Sequence, residues 1–496
     1  MEEREAKLAA PDGFQLPDLN GGEAGFLAEP RPVRRYTTTY WDTPDLRLAR
    51  WHASLRYRDD EGWTVKLPSE RVGPLLVRQE HTFPGTPRKV PEEAADLVRA
   101  FVRGAKLAPV ARLRAVRRPV ALRDAAGAEL AEVVDDEVRV IAADGRRVAG
   151  RFRELEVELT DHALPDTLDR VLASLRAAGA QEAGGASKYR RALGDREVGP
   201  PELALGELPA SPSVEDLLRH DLTASVLRLF HHEAGVRIGE DPEAVHQARV
   251  ACRRIRSTLR TFAGVLEPEW TARLREELRW LADRLGEVRD ADVLLARLEG
   301  GLATLPEVDK APGRRLLAGL ASERDEARER LIEAMGEDRY AGLLDDLVAA
   351  AVAPAVLAEA ARPAAAVLPP LAASAWSKLR KAVRRAGDEP SDEALHKIRI
   401  RAKRLRYAVE AIEPVAGKPA RRLAKAAADL QDVLGEQHDA VVAEAWLRRA
   451  AGSGRRDQAV VAGELVALQR AAAARDRSRW PKAWKAYSKK RLTSWL

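Results

Sequence analysis

Glu3, Glu5 and Lys7 alternate with Arg4 and Ala6, a period of two that on a strand sends all three to one face. The same alternation of charge recurs in Arg56/Arg58, Thr64/Lys66, Arg78/Glu80, Arg112/Arg114 and Glu154/Glu156/Glu158. Glutamates gathered on one surface cannot all ionise cheaply without a cation. Mg2+ or Mn2+, hard ions that prefer carboxylate and phosphate oxygens, suit them. Arginines and lysines on the rest of that surface would clamp phosphate oxygens. A carboxylate-held metal beside a basic cradle is an arrangement for phosphoryl transfer.

A second chemistry-bearing pattern, H-x2-R-x3-(R/K)-R-x-R, occurs twice, 150 residues apart. The first copy holds His246, Arg249, Arg253, Arg254 and Arg256; the second holds His396, Arg399, Lys403, Arg404 and Arg406. At helical spacing each set makes one basic stripe, edged by an apolar seam through Val245, Ala248, Cys252, Ile255 and Leu259, or through Leu395, Ile398, Ala402, Leu405 and Val409. No Asp or Glu occurs from Ala244 to Leu266 or from Ala394 to Val409, although the chain has 77 acidic residues to set against 83 basic ones. Two self-repelling helices make sense if a polyanion neutralises them. Aromatic residues for base stacking are scarce beside the stripes, so a linear phosphate suits them better than nucleic acid. Hydrogen bonding to phosphate is the preferred role for the stripe histidines; metal ligation would need more converging ligands than either stripe offers.

The elements that must position these groups fall into two parts. Residues 1–195 read as short alternating strands separated by Gly- and Asp-rich turns, with two helical stretches. On Glu154–Leu159 one alternate face is charged and the other is apolar. A barrel with a charged lumen and helices over its apolar exterior satisfies both. Residues 196–213 read as a Pro- and Gly-containing linker. Residues 214–496 read as all helix, in repeat one at about 214–350 and repeat two at about 373–496, joined by a Pro/Ala-rich stretch at 351–372. Leu285-Gly286-Glu287-Val288-Arg289-Asp290 matches Leu434-Gly435-Glu436-Gln437-His438-Asp439, which extends the repeat beyond the stripes. The fold class is therefore α+β: an antiparallel β-barrel (tunnel) domain with flanking helices, then an all-α domain of two repeated bundles. The net charge of +6 agrees with an anionic partner, and the single cysteine, Cys252, excludes a disulfide framework. An N-terminus without an apolar core and the lack of a long apolar run lead to the expectation of a soluble, cytoplasmic protein without a membrane segment.

Glu3-Arg4-Glu5-Ala6-Lys7, Tyr40-Trp41-Asp42-Thr43-Pro44, Leu55-Arg56-Tyr57-Arg58, Thr64-Val65-Lys66, Arg78-Gln79-Glu80, Glu154-Leu155-Glu156-Val157-Glu158 and Ser187-Lys188-Tyr189 together resemble CYTH domains, the triphosphate tunnel metalloenzymes. The resemblance implies metal ligands at Glu3, Glu5, Glu154 and Glu156, with catalysis by Glu3, Glu5, Lys7, Arg56, Arg58 and Lys66. It implies triphosphate contacts also at Arg78, Arg114 and Lys188, and a further acidic residue within Glu132–Asp136. The helical part resembles a CHAD domain, a family associated with inorganic polyphosphate. That resemblance implies polyphosphate contacts at His246, Arg249, Arg253, Arg256, His396, Arg399, Lys403, Arg406 and His438. His438 is matched by Arg289 in the first repeat, which argues against a symmetric histidine metal site.

The expected function is metal-dependent hydrolysis of inorganic triphosphate or a related triphosphate, with a helical domain that binds inorganic polyphosphate and an association with polyphosphate granules in the cytoplasm. The alternative is a non-catalytic polyphosphate-binding protein. Nucleotide triphosphatase, thiamine triphosphatase and adenylate cyclase activities rank lower. The C-terminal segment Arg475–Leu496, with Trp480, Trp484 and Trp495 among basic residues, is expected to form the last bundle helix, on the spacing of Trp480, Trp484 and Tyr487, rather than a membrane-surface helix.

Overall fold

The computed structural model describes residues 2–20, 26–68, 70–72, 75–142, 144–184 and 187–496, with side chains for these except 2, 3, 70–72, 75–78 and 453. The chain divides into two compact units, Met1–Glu202 and Leu203–Leu496.

The first unit is built on strands β1 (Glu2–Ala9), β2 (Leu27–Pro30), β3 (Arg34–Asp42), β4 (Ser54–Arg58), β5 (Gly62–Lys66), β6 (Glu70–Val72), β7 (Leu75–Phe83), β8 (Ala108–Arg123), β9 (Glu129–Ile141), β10 (Val148–Leu159) and β11 (Gln181–Glu182). Helices α1 (Arg47–Arg50), α2 (Glu92–Leu97), α3 (Arg99–Val102), α4 (Thr167–Ala177) and α5 (Lys188–Ala192) lie between or after them. Every pairing between named strands is antiparallel, in the order β11-β1-β10-β9-β8-β3-β4-β5-β7-β6, with β2 on β8. The sheet curls until β1 meets β7 over a four-residue ladder from Glu2 to Glu5. Three strands stay off this circuit, so "barrel" describes a strongly curled sheet only loosely.

The outward residues Ala6, Leu8, Val133, Leu155 and Val157 are buried beneath Leu168, Val171, Leu172 and Leu175 of α4. That apolar face obliges the alternate residues of β1 and β10 to point inward. The inner surface is charged over only part of its extent. At one end Tyr36, Tyr40, Leu113, Ala115 and Val138 pack with Tyr189, Ala192 and Leu193, at and just after α5.

The second unit contains α6 (Val214–Ile238), α7 (Pro242–Thr261), α8 (Pro268–Ala303), α9 (Glu307–Gly336), α10 (Asp338–Val352), α11 (Ala364–Ala386), α12 (Asp392–Ala416), α13 (Lys418–Ser453), α14 (Arg456–Tyr487) and α15 (Lys490–Thr493). Their starts follow local chemistry. Ser213 and Asp216 form a capping box on α6, Asp241 caps α7 ahead of Pro242, and Ser391 caps α12. Helix α11 begins at Ala364, inside the stretch read from sequence as a connector, and includes Pro369 and Pro370. The stripe helices α7 and α12 each precede a 36-residue helix, α8 and α13. The two halves are not independent bundles. Leu294 and Leu298 of α8, Leu316 and Leu320 of α9, Trp446 and Leu447 of α13, and Val461 and Leu465 of α14 make one core. Trp484 and Tyr487 pack on Trp376 of α11, with ring centroids 5.7 and 5.5 Å away, as a last bundle helix requires.

Candidate phosphate and metal sites

In the first unit, the β1–β10 register sets Glu5 directly opposite Glu158 and Lys7 opposite Glu156, while Asp136 pairs across β9–β8 with Arg117. The inward groups form a dense charge network. Lys7 Nζ lies 2.5 Å from Glu156 Oε1 and 3.1 Å from Glu5 Oε2. Lys188 Nζ lies 2.5 Å from Asp136, 2.9 Å from Glu156 and 3.1 Å from Glu154. Ser187 caps α5 by accepting from the Arg190 backbone N–H, which fixes Lys188 at the first helical position. Arg117 donates to both oxygens of Asp136, at 3.0 and 2.7 Å, and to Glu156 at 3.0 Å.

Burial opposes every one of these charges, and opposite charges outweigh it. Glu156, Glu5 and Glu154 hold Lys7 above the ordinary lysine range, and Glu156, Glu154 and Asp136 hold Lys188 well above it. Lys188, Lys7 and Arg117 hold Glu156 well below the ordinary glutamate range, and Lys188 and Arg117 hold Asp136 below that of aspartate. Lys7, Lys188, Glu156 and Asp136 are therefore held in their charged forms at neutral pH.

Further along the inner face Lys66 Nζ lies 2.5 Å and Arg56 3.5 Å from Glu80. Arg58 is buried, pairs with Asp60 and Glu61 at 2.9 and 2.8 Å, and sits 3.7 Å from the Tyr36 ring centroid.

Among the described residues one group could hold a metal: Glu5, Glu156 and Glu158 each offer a carboxylate oxygen within 4.8 Å of the others. Two of the ligands expected from sequence, Glu5 and Glu156, are in it. Glu154 is not; its carboxylate lies 3.1 Å from Lys188 and 3.5 Å from Arg191. Glu158 completes the group, and its place in the Glu154/Glu156/Glu158 alternation was the signal for it. The Glu3 and Arg78 side chains lie outside the described residues; on the backbone these two positions face each other across β1–β7.

Arg114 is a correction. It pairs with Thr37 and Arg139 on the outer face and is exposed, whereas Leu113 and Ala115 on either side of it point inward. The inward cation of that strand is Arg117, which the sequence reading missed. The acidic middle-strand residue is Asp136, since Asp135 faces the other way and pairs with Arg153 at 2.7 Å.

In the second unit a cleft of about 440 Å³ is lined by His246, Arg249 and Arg253 of α7, Arg289, Asp290 and Arg297 of α8, His396, Arg399 and Lys403 of α12, and His438 and Asp439 of α13. Six cations thus face two carboxylates. Gly286 and Gly435, equivalent in the repeated Leu-Gly-Glu, face the guanidinium groups of Arg249 and Arg399, which a Cβ at either would meet at 3.7 Å, an ordinary contact. The imidazoles of His396 and His438 have centroids 4.5 Å apart, and the buried Nδ1 of His396 and Nε of Arg399 have no hydrogen-bond partner among the described residues. Burial, with Arg399, Arg253 and Arg249, lowers Lys403 to about 7. Burial, with Arg399, His396 and Lys403, lowers His438 to about 4.

Seven of the nine residues expected to bind polyphosphate line this cleft; Arg256 and Arg406 do not. The lining stops where the Arg253 guanidinium packs 5.5 Å from the Tyr407 ring centroid. Past that point Arg406 pairs with Glu410 at 2.6 Å and lines a separate depression with Arg254. Arg256 neighbours Arg260 instead. Arg297 is a cleft residue outside the repeated motif.

The curled sheet with its carboxylate and cation network, followed by a helical unit with a basic cleft, defines a two-domain protein of the CYTH–CHAD class. Residues 1–191 match the CYTH domain family and residues 220–448 the CHAD domain family, and the chain belongs to the proteins that fuse the two. It is 34% identical over 475 residues to the uncharacterized protein Rv2226 of Mycobacterium tuberculosis, an alignment covering 90% of this chain and 88% of that protein. Similar solved structures include PptA from Streptomyces chartreusis (27% identity, TM-score 0.47, 55% of this chain and 100% of that one). The CHAD domain from the plant Ricinus communis is another (29% identity, TM-score 0.47, 57% and 95%). No described helix is long and apolar enough to cross a membrane.

Proposed function

We propose that the first unit hydrolyses inorganic triphosphate, or a closely related triphosphate, with a divalent metal, and that the second unit binds inorganic polyphosphate. The observation that carries the catalytic reading is the facing pair Glu5 and Glu158 beside Glu156. Like charges placed directly opposite on a ladder destabilise it unless a cation lies between them. Carboxylate-only donors suit Mg2+ or Mn2+. A metal held by Glu5, Glu156 and Glu158 would supply charge neutralisation and a more acidic bound water.

The chain's own cations do the rest. Lys7, Arg117 and Lys188 stand beside these carboxylates, and Arg56 and Lys66 stand further along the inner face. They would hold the phosphates in line and stabilise negative charge as it spreads in the transition state. Attack of water on a terminal phosphorus forms one P–O bond and breaks one P–O–P bridge, releasing phosphate and pyrophosphate. The cleft of the second unit, with six cations and few aromatics, suits a linear phosphate chain, and a cytoplasmic site of action that includes polyphosphate granules is part of this reading.

The test is phosphate release from tripolyphosphate, ATP and thiamine triphosphate with Mg2+ or Mn2+. We expect metal-dependent release that Glu5→Gln abolishes while polyphosphate retention persists. No metal-dependent release from any of the three would overturn the catalytic reading.

A further inference from the structure

We propose that Lys7 is an exchanged counter-ion: a metal arriving at Glu5, Glu156 and Glu158 displaces its ammonium, which then engages the phosphate. Metal binding and phosphate binding would thereby be coupled through this one side chain. The inference rests on the proposed metal site and adds an account of how that site is loaded.

The geometry singles out Lys7 among the inward cations. Its ammonium bridges two of the three carboxylates in the metal group, at 2.5 Å from Glu156 and 3.1 Å from Glu5. A divalent ion on the same oxygens and the ammonium cannot both stay, because they repel at contact distance in a buried site. The other cations have somewhere else to remain. Lys188 keeps Asp136 and Glu154, Arg117 keeps Asp136, and Lys66 keeps Glu80, none of which belongs to the metal group. Lys7 has a flexible four-carbon stem and a side chain 15% exposed, so it can swing along the inner face without disturbing the β1–β10 ladder. With metal in place it becomes a free ammonium beside the site where a phosphate must sit. A phosphate that has captured it leaves Glu5 and Glu156 open to the metal. By linkage, each ligand must then strengthen the other.

A lysine that stayed in place would raise phosphate affinity and lower metal affinity by fixed amounts, whether or not the other ligand was bound. Only an exchanged lysine alters the coupling between them. The full chain is titrated with Mn2+, following free Mn2+ by electron paramagnetic resonance. Titrations are run with and without about 50 mM sulfate, chloride matching the ionic strength. Sulfate stands in for the phosphate group because it scarcely chelates Mn2+. In the wild type, sulfate should tighten Mn2+ binding by about fivefold or more. In Lys7→Gln, Mn2+ alone should bind more tightly than to wild type, and the effect of sulfate should shrink to about twofold or less. Arg114→Ala, on the exposed outer face, should keep the wild-type sulfate effect, and so should Lys7→Arg, which retains a cation that can exchange. A sulfate effect equal in wild type and Lys7→Gln would overturn the exchange while leaving the metal site standing. Absence of saturable Mn2+ binding by the wild type would overturn the metal site and this inference with it.

Discussion

Glu5 and Glu158 lie directly across the β1–β10 ladder from each other, and with Glu156 they bring carboxylate oxygens within 4.8 Å. Lys7 reaches Glu5 and Glu156, two of these three carboxylates. This leads to the first prediction. Bound Mn2+ at a hundred times its dissociation constant should stabilise the wild type by about 2.7 kcal/mol. A tenfold loss of affinity in Glu158→Gln should halve that gain at the same Mn2+ concentration. Thermal melts with and without Mn2+ measure it, and an unchanged Mn2+ shift would exclude Glu158 as a ligand.

The two arginines of β8 should behave oppositely. Arg117→Ala strips two donors from buried Asp136, which keeps Lys188, and one from Glu156, and breaking a buried ion pair of this kind costs about 3 kcal/mol. Arg114→Ala, on the exposed outer face, should stay within about 0.5 kcal/mol of wild type. Urea midpoints read the stability difference. Metal-dependent tripolyphosphate hydrolysis should fall at least tenfold in Arg117→Ala and hold in Arg114→Ala. Equal losses in the two variants would refute this assignment of faces.

These two arginines also mark how far the sequence could be read. Period-two alternation located the strands and brought Glu5, Lys7, Glu154 and Glu156 to one surface, because α4 covers an unmistakably apolar opposite face. On β8 the same logic fails. There the inner face itself turns apolar, with Leu113 and Ala115 packed on Tyr189 and Leu193, so an apolar neighbour no longer means an outward one. In the helical unit, spacing was enough to align His246, Arg249 and Arg253 on one side. Where α7 meets α12 depends on tertiary packing that no heptad count contains, and this separates Arg256 and Arg406 from the cleft. The repeated Leu-Gly-Glu was visible as a repeat. Its position against the Arg249 and Arg399 guanidinium groups required the helices to be placed.

That separation can be tested by charge reversal. Arg253→Glu and Lys403→Glu put acid into the cleft, whereas Arg256→Glu and Arg406→Glu put it outside. The first pair should lower polyphosphate affinity by at least a hundredfold. It should also flatten the dependence of log affinity on log salt by about one to two charges. The second pair should cost less than about tenfold, through long-range attraction alone. Filter retention of polyphosphate at several salt concentrations distinguishes them, and equal losses would extend the binding surface beyond the cleft.

Lys403 gives the cleft a dependence on pH whose sign can be worked out. Burial, then Arg399 on its own helix and Arg253 and Arg249 on α7, lower it to about 7 in the ligand-free protein, against the opposing pull of Asp439 on α13. A bound polyanion favours the ammonium and raises that value. Between the free and bound values binding takes up a proton, so affinity should fall by up to about tenfold per pH unit as pH rises above 7. Ligand-free stability should move the other way. The unfolded lysine titrates near 10.4, so between pH 7 and about 10 the unfolded chain holds the extra proton and the fold gains as pH rises. His438, lowered to about 4, stays neutral across this window and does not confuse the reading. Polyphosphate retention and urea midpoints measured from pH 6 to 9 should therefore run in opposite directions. In Lys403→Arg, whose guanidinium keeps its proton, the loss of affinity above pH 7 should vanish. Affinity constant from pH 6 to 9 in the wild type would remove Lys403 from the set of groups that hold the ligand.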